Sequence, residues 1–176
     1  MDEARRRAAN ITRPTWIMAH TQEAARGRQG RAWAMPRGNL AGTLVLKPRC
    51  SALEAAQRSF LASNALLQAL ALYTPIERLK VKWPNDVLLV GGKVAGILLE
   101  AVGQGGQVDA LSIGFGVNLA KAPDEVVEAL FAPVSLAEYG DLAKPEEFLA
   151  DLASAYATQE KKLGALGYGR IRSDWL

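Results

Sequence analysis

At 176 residues, with 49% hydrophobic and 22% charged, the chain has the length and balance of one water-soluble globular domain with a buried core. The single cysteine, Cys50, excludes an intramolecular disulfide and a cysteine-cluster zinc site, and the single histidine, His20, leaves a Ser-His-Asp triad one candidate, at the end of an apolar run. The net charge of +3 is uneven, with much of the positive charge in the first 50 residues and 123–160 rich in Asp and Glu, which points to an anionic ligand near the N-terminal half without implying nucleic acid.

No apolar run reaches the roughly 18 residues that span a bilayer. The opening MDEARRRAAN lacks the apolar core of a signal peptide, so a cytoplasmic protein without a membrane or DNA partner is expected. Residues 2–9 read as the end of a helix, rich in Ala, Arg and Glu and stopped before Pro14. Trp16 to Ala19 is a short buried strand leading through His20 into an arginine-rich loop. Asn39 to Lys47 alternates, with Leu40, Leu44 and Leu46 on one face and Ala41, Thr43 and Val45 on the other, and Pro48 ends it. Ser51 is placed as the N-cap of a helix whose buried stripe is predicted as Leu53, Ala56, Phe60, Leu67 and Leu70, interrupted by Ser63.

Leu79 to Trp83 is a strand and Pro84-Asn85-Asp86 a turn. Val87–Val90 and Lys93–Val102 form a hairpin about Gly91-Gly92, and Val108–Leu119 follows a second glycine turn at Gly103–Gly106. Three strands joined by short turns favour antiparallel pairing. The last third is helical, opening at Pro145 with Glu146 and Glu147 at its positive end. Its stripe is predicted as Leu149, Leu152, Tyr156, Leu163 and Leu166, with Lys161 and Lys162 near its end and Gly164 or Gly167 as its stop. The fold class expected is α+β, a mainly antiparallel mixed sheet with helices packed on it.

Four stretches carry chemistry. In Gln22–Trp33 (QEAARGRQGRAW), Gly27 and Gly30 interleave with Arg26, Arg28 and Arg31, a pattern that lets backbone and guanidinium forks wrap an anion, while Trp33 offers a flat apolar surface. A solvated basic loop or a grip on nucleic-acid backbone would use the same residues. Lys82-Trp83-Pro84-Asn85-Asp86 puts an oxygen pair at a strand end, where it suits a hard cation such as Mg²⁺ or a simple turn. Lys93 opens an apolar strand in Gly92–Leu98, either meeting an anion or snorkelling to water. Ile113-Gly114-Phe115-Gly116-Val117-Asn118-Leu119 imitates a dinucleotide fingerprint and fails it, because Leu119 replaces the third glycine and Pro123 follows where a helix should run. Its glycines instead allow a ligand or a strand to come close.

In this order and spacing the four stretches resemble the catalytic domain of biotin–protein ligases of the class without an N-terminal DNA-binding domain. The resemblance covers nearly the whole chain: the glycine–arginine loop at 22–33, Lys-Trp-Pro-Asn-Asp intact at 82–86, Gly-Lys-x-x-Gly-Ile-Leu at 92–98 and Ile-Gly-x-Gly-x-Asn at 113–118. It implies that Gln22, Arg26, Gly27, Arg28 and Lys93 line the biotin and biotinyl-adenylate pocket, with Gly96, Ile97, Gly114 and Gly116 as its floor. It implies that Arg28, Arg31, Trp33, Asn85, Asp86 and Asn118 face ATP, with Asp86 on Mg²⁺, and that Arg28 and Lys93 act in catalysis. The implied reaction forms biotinyl-5′-AMP and passes biotin to a lysine of a biotin carboxyl carrier protein, and a homodimer is compatible with it.

Family members usually begin with a strand ending in a Ser-Thr pair, here absent before Met1. They also carry a small C-terminal β-barrel, so residues 1–176 are expected to be a catalytic domain lacking both, and Ala25 stands where many members have glycine. The rivals are a lipoate-type ligase of the same superfamily, a non-catalytic biotin or nucleotide binder, and an RNA-binding domain, which would need exposed aromatics beside the basic loop.

Overall fold

In the computed structural model, residues 1–124 and 130–175 are described, without the side chains of Arg28 and Trp175. Seven strands form one sheet: β1 (Thr15–Ala19), β2 (Leu40–Leu46), β3 (Cys50–Ser51), β4 (Leu79–Lys82), β5 (Asp86–Leu89), β6 (Gly92–Gln104) and β7 (Gln107–Val117). Their order is β1-β2-β7-β6-β5-β4, with β3 paired to the far end of β7. All pairs of these strands are antiparallel, and the parallel element among the described residues is an isolated bridge between Lys93 and Pro133. The α+β expectation therefore holds, and the strands pair through short glycine turns as expected, but the turns are shifted: they close at Val90-Gly91 and Gly105-Gly106 in the left-handed region, and Gly92 and Gly103 belong to β6.

Three helices flank the sheet: α1 (Asp2–Arg7), α2 (Ala52–Leu70) and α3 (Pro145–Trp175). Helices α2 and α3 cover one face, burying Leu44, Ile97, Ile113 and Phe115 beneath Leu61, Leu66, Phe148 and Leu152. Short α1 covers part of the other face, where Ala4 and Ala8 pack on Val45 and Ala110. Strand β2 is buried throughout because it lies under helices on one side, while on the other Val45 packs on α1 and Thr43 meets Met1.

Ser51 caps α2 in a full capping box with Glu54, as its position predicted. The stripe of α2 is corrected in part: Leu70 is buried and Phe60 and Leu67 pack on the core as expected, while Leu53 and Ala56 face solvent. Leu53 is 72% exposed, and the buried positions are Ala55, Leu61, Ala62, Ala65, Leu66, Ala69 and Leu70. The reason is close approach: α2 packs beside α3 as well as on the sheet, so small residues face those neighbours, and a count of leucines misses them. Ser63 does not interrupt the stripe, since it is buried and its hydroxyl donates to the Ser59 carbonyl at 2.9 Å.

In α3 the buried residues include Phe148, Leu152, Tyr156, Gln159 and Ile171, while Leu166 is exposed. The helix breaks at Gly167, whose φ of 75° lies in the left-handed region, and Gly164 stays helical. Lys162 is consequently followed by more helix and forms an ion pair with Asp174. Among the described residues no helix is long and apolar enough to cross a membrane.

Candidate functional site

The antiparallel register lines up residues that are far apart in sequence. Ala41 pairs with Gly116, Gly116 with Gly96, Gly96 with Asp86, and Asp86 with Lys82. Directly opposed residues on adjacent strands point to the same face. The row is therefore a flat strip of one methyl group and bare backbone across three strands that ends in a carboxylate and an ammonium. A second row on the same face comprises Thr43, Gly114 and Leu98. Together they floor a cavity of about 720 Å³ on the face opposite α2 and α3.

Gln22–Trp33 forms the roof. A hoop is closed by Gly27 N donating to the Arg31 carbonyl at 2.8 Å and Trp33 N to the Ala25 carbonyl at 3.1 Å, with Arg26 and Ala32 bridged between them. Gln29 and Gly30 turn its tip through the left-handed region. Gln22, Arg26, Gly27, Arg31 and Trp33 all line the cavity. Arg28 stands in the 3-10 turn Arg28–Gly30 at the tip, and its side chain lies outside what is described.

Trp33 rests on the glycine strip. A Cβ on Gly116 would fall 2.6 Å from Trp33 Cε2, and one on Gly96 would fall 3.2 Å from Trp33 Cζ3, so the indole position depends on both glycines being bare. Lys93 Nζ lies 5.4 Å from the centre of the same ring, within reach of a cation–π attraction. At the other row, Met1 Sδ would lie 2.9 Å from a Cβ on Gly114 and accepts from the Thr43 hydroxyl at 3.7 Å.

The charged end is built by β5 and β6. Lys93 Nζ lies 2.8 Å from Asp86 Oδ1, and the two are mostly buried. That oxygen is buried and has an ionic partner but no well-directed hydrogen-bond donor among the described residues. A buried carboxylate oxygen in this state suits a hard cation, yet no group of three metal-ligating side chains occurs among the described residues. The donor set therefore fits Mg²⁺ held by one carboxylate and a ligand's own phosphates, and does not fit an all-protein metal cage.

Two asparagines have structural partners. Asn85 Nδ2 donates to the Ile97 carbonyl at 3.1 Å, and Ile97 N donates to the Asn85 carbonyl at 2.8 Å, stitching the turn before Asp86 to β6. Asn118 is 2% exposed and lines the cavity, but its amide donates to the Val134 carbonyl at 3.1 Å. It thus ties the 132–136 segment, which also pairs with Lys93, along the start of β6.

The structure brings the four sequence stretches into one cavity and leaves His20 out of it, at the surface with Nδ1 3.7 Å from Glu146 Oε1. Thr43, Met1 and the aromatic wall residue Phe131 were not found from sequence. Thr43 is signalled only by its register opposite Gly114, and Met1 and Phe131 by no local pattern.

Residues 2–118 match the biotin/lipoate A/B protein ligase family. The chain belongs to that family. It is 52% identical to the biotin–[acetyl-CoA-carboxylase] ligase of Paracoccus denitrificans over 178 residues, covering 99% of this chain and 74% of that protein. In fold it is similar to the biotin protein ligase of Leishmania major in complex with biotin, with a TM-score of 0.80 at 23% identity over 99% of this chain and 75% of the other. It is also similar to the Aquifex aeolicus biotin protein ligase in complex with biotin and ATP, with a TM-score of 0.77 at 24% identity over 98% of this chain and 72% of the other.

Proposed function

We propose that the chain is the catalytic domain of a biotin–[acetyl-CoA-carboxylase] ligase. It joins biotin to AMP at the expense of ATP and then passes biotin to a lysine of a biotin carboxyl carrier protein. The observation that carries this reading is the flat glycine strip under an aromatic ring, ending at the Lys93–Asp86 pair, because a ring-bearing acid and a nucleotide phosphate need those surfaces side by side. The 52% identical relative supports biotin over lipoate. A cytoplasmic setting follows from the need for ATP and a carrier protein.

In the first half-reaction a carboxylate oxygen of biotin attacks the α-phosphorus of ATP. The new C–O–P bond forms as the bond to pyrophosphate breaks, giving biotinyl-5′-AMP. Bringing two anions together is the obstacle, so preorganised positive charge accounts for the catalysis. Lys93 supplies part of that charge in this reading, supported by its partial desolvation and its contacts with Asp86 and Trp33. Arg31 is exposed at the cavity roof, and Arg28 joins it by its place in the loop motif. Asp86 and the nucleotide phosphates would hold Mg²⁺, which neutralises phosphate charge when bound. In the second half-reaction an uncharged carrier lysine attacks the acyl carbon, AMP leaves and the amide remains. No enzyme nucleophile is needed, and Gln22, Thr43 and the hoop position the acyl group and keep water away.

The test is mass spectrometry of a carrier domain incubated with the protein, biotin and Mg-ATP. A single biotin adduct on one lysine, with AMP and pyrophosphate released, is expected. Pyrophosphate release with lipoate and none with biotin would overturn the substrate assignment.

A further inference from the structure

Arg26 lines the cavity, yet its guanidinium is engaged away from the charged end. Its Nη2 lies 2.7 Å from Asp2 Oδ1 and its Nη1 lies 3.4 Å from Asp2 Oδ2, a two-pronged contact to the first turn of α1. Its Nε lies 3.5 Å from Glu100 Oε1 on β6, and the second oxygen of Glu100 accepts from Arg5 of α1 at 3.1 Å. The four side chains form a chain of alternating charge, Arg5–Glu100–Arg26–Asp2, that joins helix, sheet and loop. The Asp2 carboxyl is held below its ordinary value, first by the hydrogen bond from Arg26 and then by the charge of that group.

The position of this chain matters more than its strength. Arg26 is one stem of the hoop and is bridged to Ala32, next to Trp33. Trp33, the other stem, sits on the glycine strip. Between the two stems lie Arg28, Gln29, Gly30 and Arg31, with no anchoring contact from Arg31 to the body of the protein among the described residues. Among the described residues the roof is therefore pinned at two points, one aromatic and one ionic. When the cavity holds a ligand on the glycine strip, the aromatic pin must share its floor with that ligand, and the ionic pin is independent of it.

We propose that Asp2 and Glu100 are positioning residues for the ligase reaction: by clamping Arg26 they hold the arginine hoop over the cavity and retain the acyl-adenylate until the carrier lysine arrives. The proposal rests on the ligase reading for its consequence but not for its mechanics. Neither acid touches the reacting atoms. Their action goes through Arg26, and because the contacts are solvent-exposed ion pairs, the clamp weakens with salt.

Two measurements on the full chain separate the parts. Limited trypsin digestion, followed by mass spectrometry at the Arg28–Gln29 and Arg31–Ala32 bonds, reads opening of the hoop without any ligand. The variant pair Asp2→Asn with Glu100→Gln is expected to raise cleavage there about fivefold, the scale of lost exposed ion pairs. Glu3→Gln on the same helix, whose partners are Arg6 and Arg7, should leave it unchanged. Raising salt should bring the unmodified protein toward the double variant and barely move the variant itself. Adenylate retention, measured as loss of labelled biotinyl-5′-AMP into buffer, should quicken by a similar factor in the double variant while the rate of its formation changes little. Equal cleavage in the two proteins overturns the clamp, and faster cleavage with unchanged adenylate loss overturns its role in the reaction. If the unmodified protein forms no adenylate, the ligase reading fails, and the cleavage rates and their salt dependence still decide whether the clamp exists.

Discussion

Single atoms decide how the cavity is shaped. Gly116 has an ordinary backbone, so alanine is tolerated by φ and ψ and excluded by space: its methyl would meet the indole of Trp33 at 2.6–2.8 Å. Gly116→Ala should therefore fold normally and lift Trp33 off the strip. Calorimetric titration with biotin and Mg-ATP should show affinity weakened by about tenfold or more, equivalent to roughly 1.4 kcal/mol. An unchanged affinity would mean that Trp33 does not need the strip. Asp86 offers a second test. Asp86→Asn keeps the size and removes the charge that steadies Lys93 at 2.8 Å. Biotin should still bind, while Mg-ATP-dependent pyrophosphate release falls at least about tenfold, roughly 1.4 kcal/mol at the barrier. Normal release in that variant would reduce Asp86 to a turn residue.

At the scale of elements, turns and caps were more legible in the sequence than faces. Ser51 as the cap of α2, the two glycine turns and Pro145 at the start of α3 are local chemistry and are legible in the sequence, although Gly92 and Gly103 belong to β6 and the turns close at Val90-Gly91 and Gly105-Gly106. The α2 face was not, because Leu53 looks like core and is solvent, whereas Ala62 and Ala65 look neutral and are fully buried. Helix-on-helix contact selects small residues, and nothing local announces which partner a helix will meet. The same limit hid the cavity floor: Gly96 and Gly116 are visible as glycines, but only the β6–β7 register places them side by side beneath Trp33.

A polar contact also ties α2 to α3. The hydroxyl of Tyr73, just past α2, donates to Asp151 Oδ2 of α3 at 2.6 Å, and burial, followed by that hydrogen bond, pushes its pKa up to about 12. The neutral phenol is thus favoured in the folded state. An unfolded tyrosine ionises near pH 10, so this contribution is complete below that pH and is lost as pH rises toward 12. Tyr73→Phe should cost about 1 kcal/mol at neutral pH and flatten the fall in stability between about pH 10 and 12. Urea melts across that range would show it, and an identical alkaline limb in the two proteins would sink the assignment.

Over the whole molecule, work is divided between the two faces of one sheet. The helix face holds the large buried side chains, Leu44, Ile113 and Phe115 against Leu61, Leu66 and Phe148. The other face carries the glycine strip, Thr43, Lys93 and Asp86, and beyond the patch packed under α1 its cover is the arginine hoop, pinned among the described residues by Trp33 and Arg26. Stability and ligand binding should accordingly be separable by mutation. Leu66 is fully buried, and Leu66→Ala is expected to cost about 2–5 kcal/mol. Its affinity for biotin should stay within about twofold, a few tenths of a kcal/mol, because Leu66 sits in the helix-face core and does not line the cavity. Asp86→Asn should act mainly at the site, collapsing adenylation, with a lowering of the urea midpoint limited to the loss of its partly buried pair with Lys93. The double variant should show the sum of the two effects in each measurement. A loss of affinity in Leu66→Ala alone would mean that the sheet transmits core packing to the cavity floor, since β6 and β7 are the strands that both faces share.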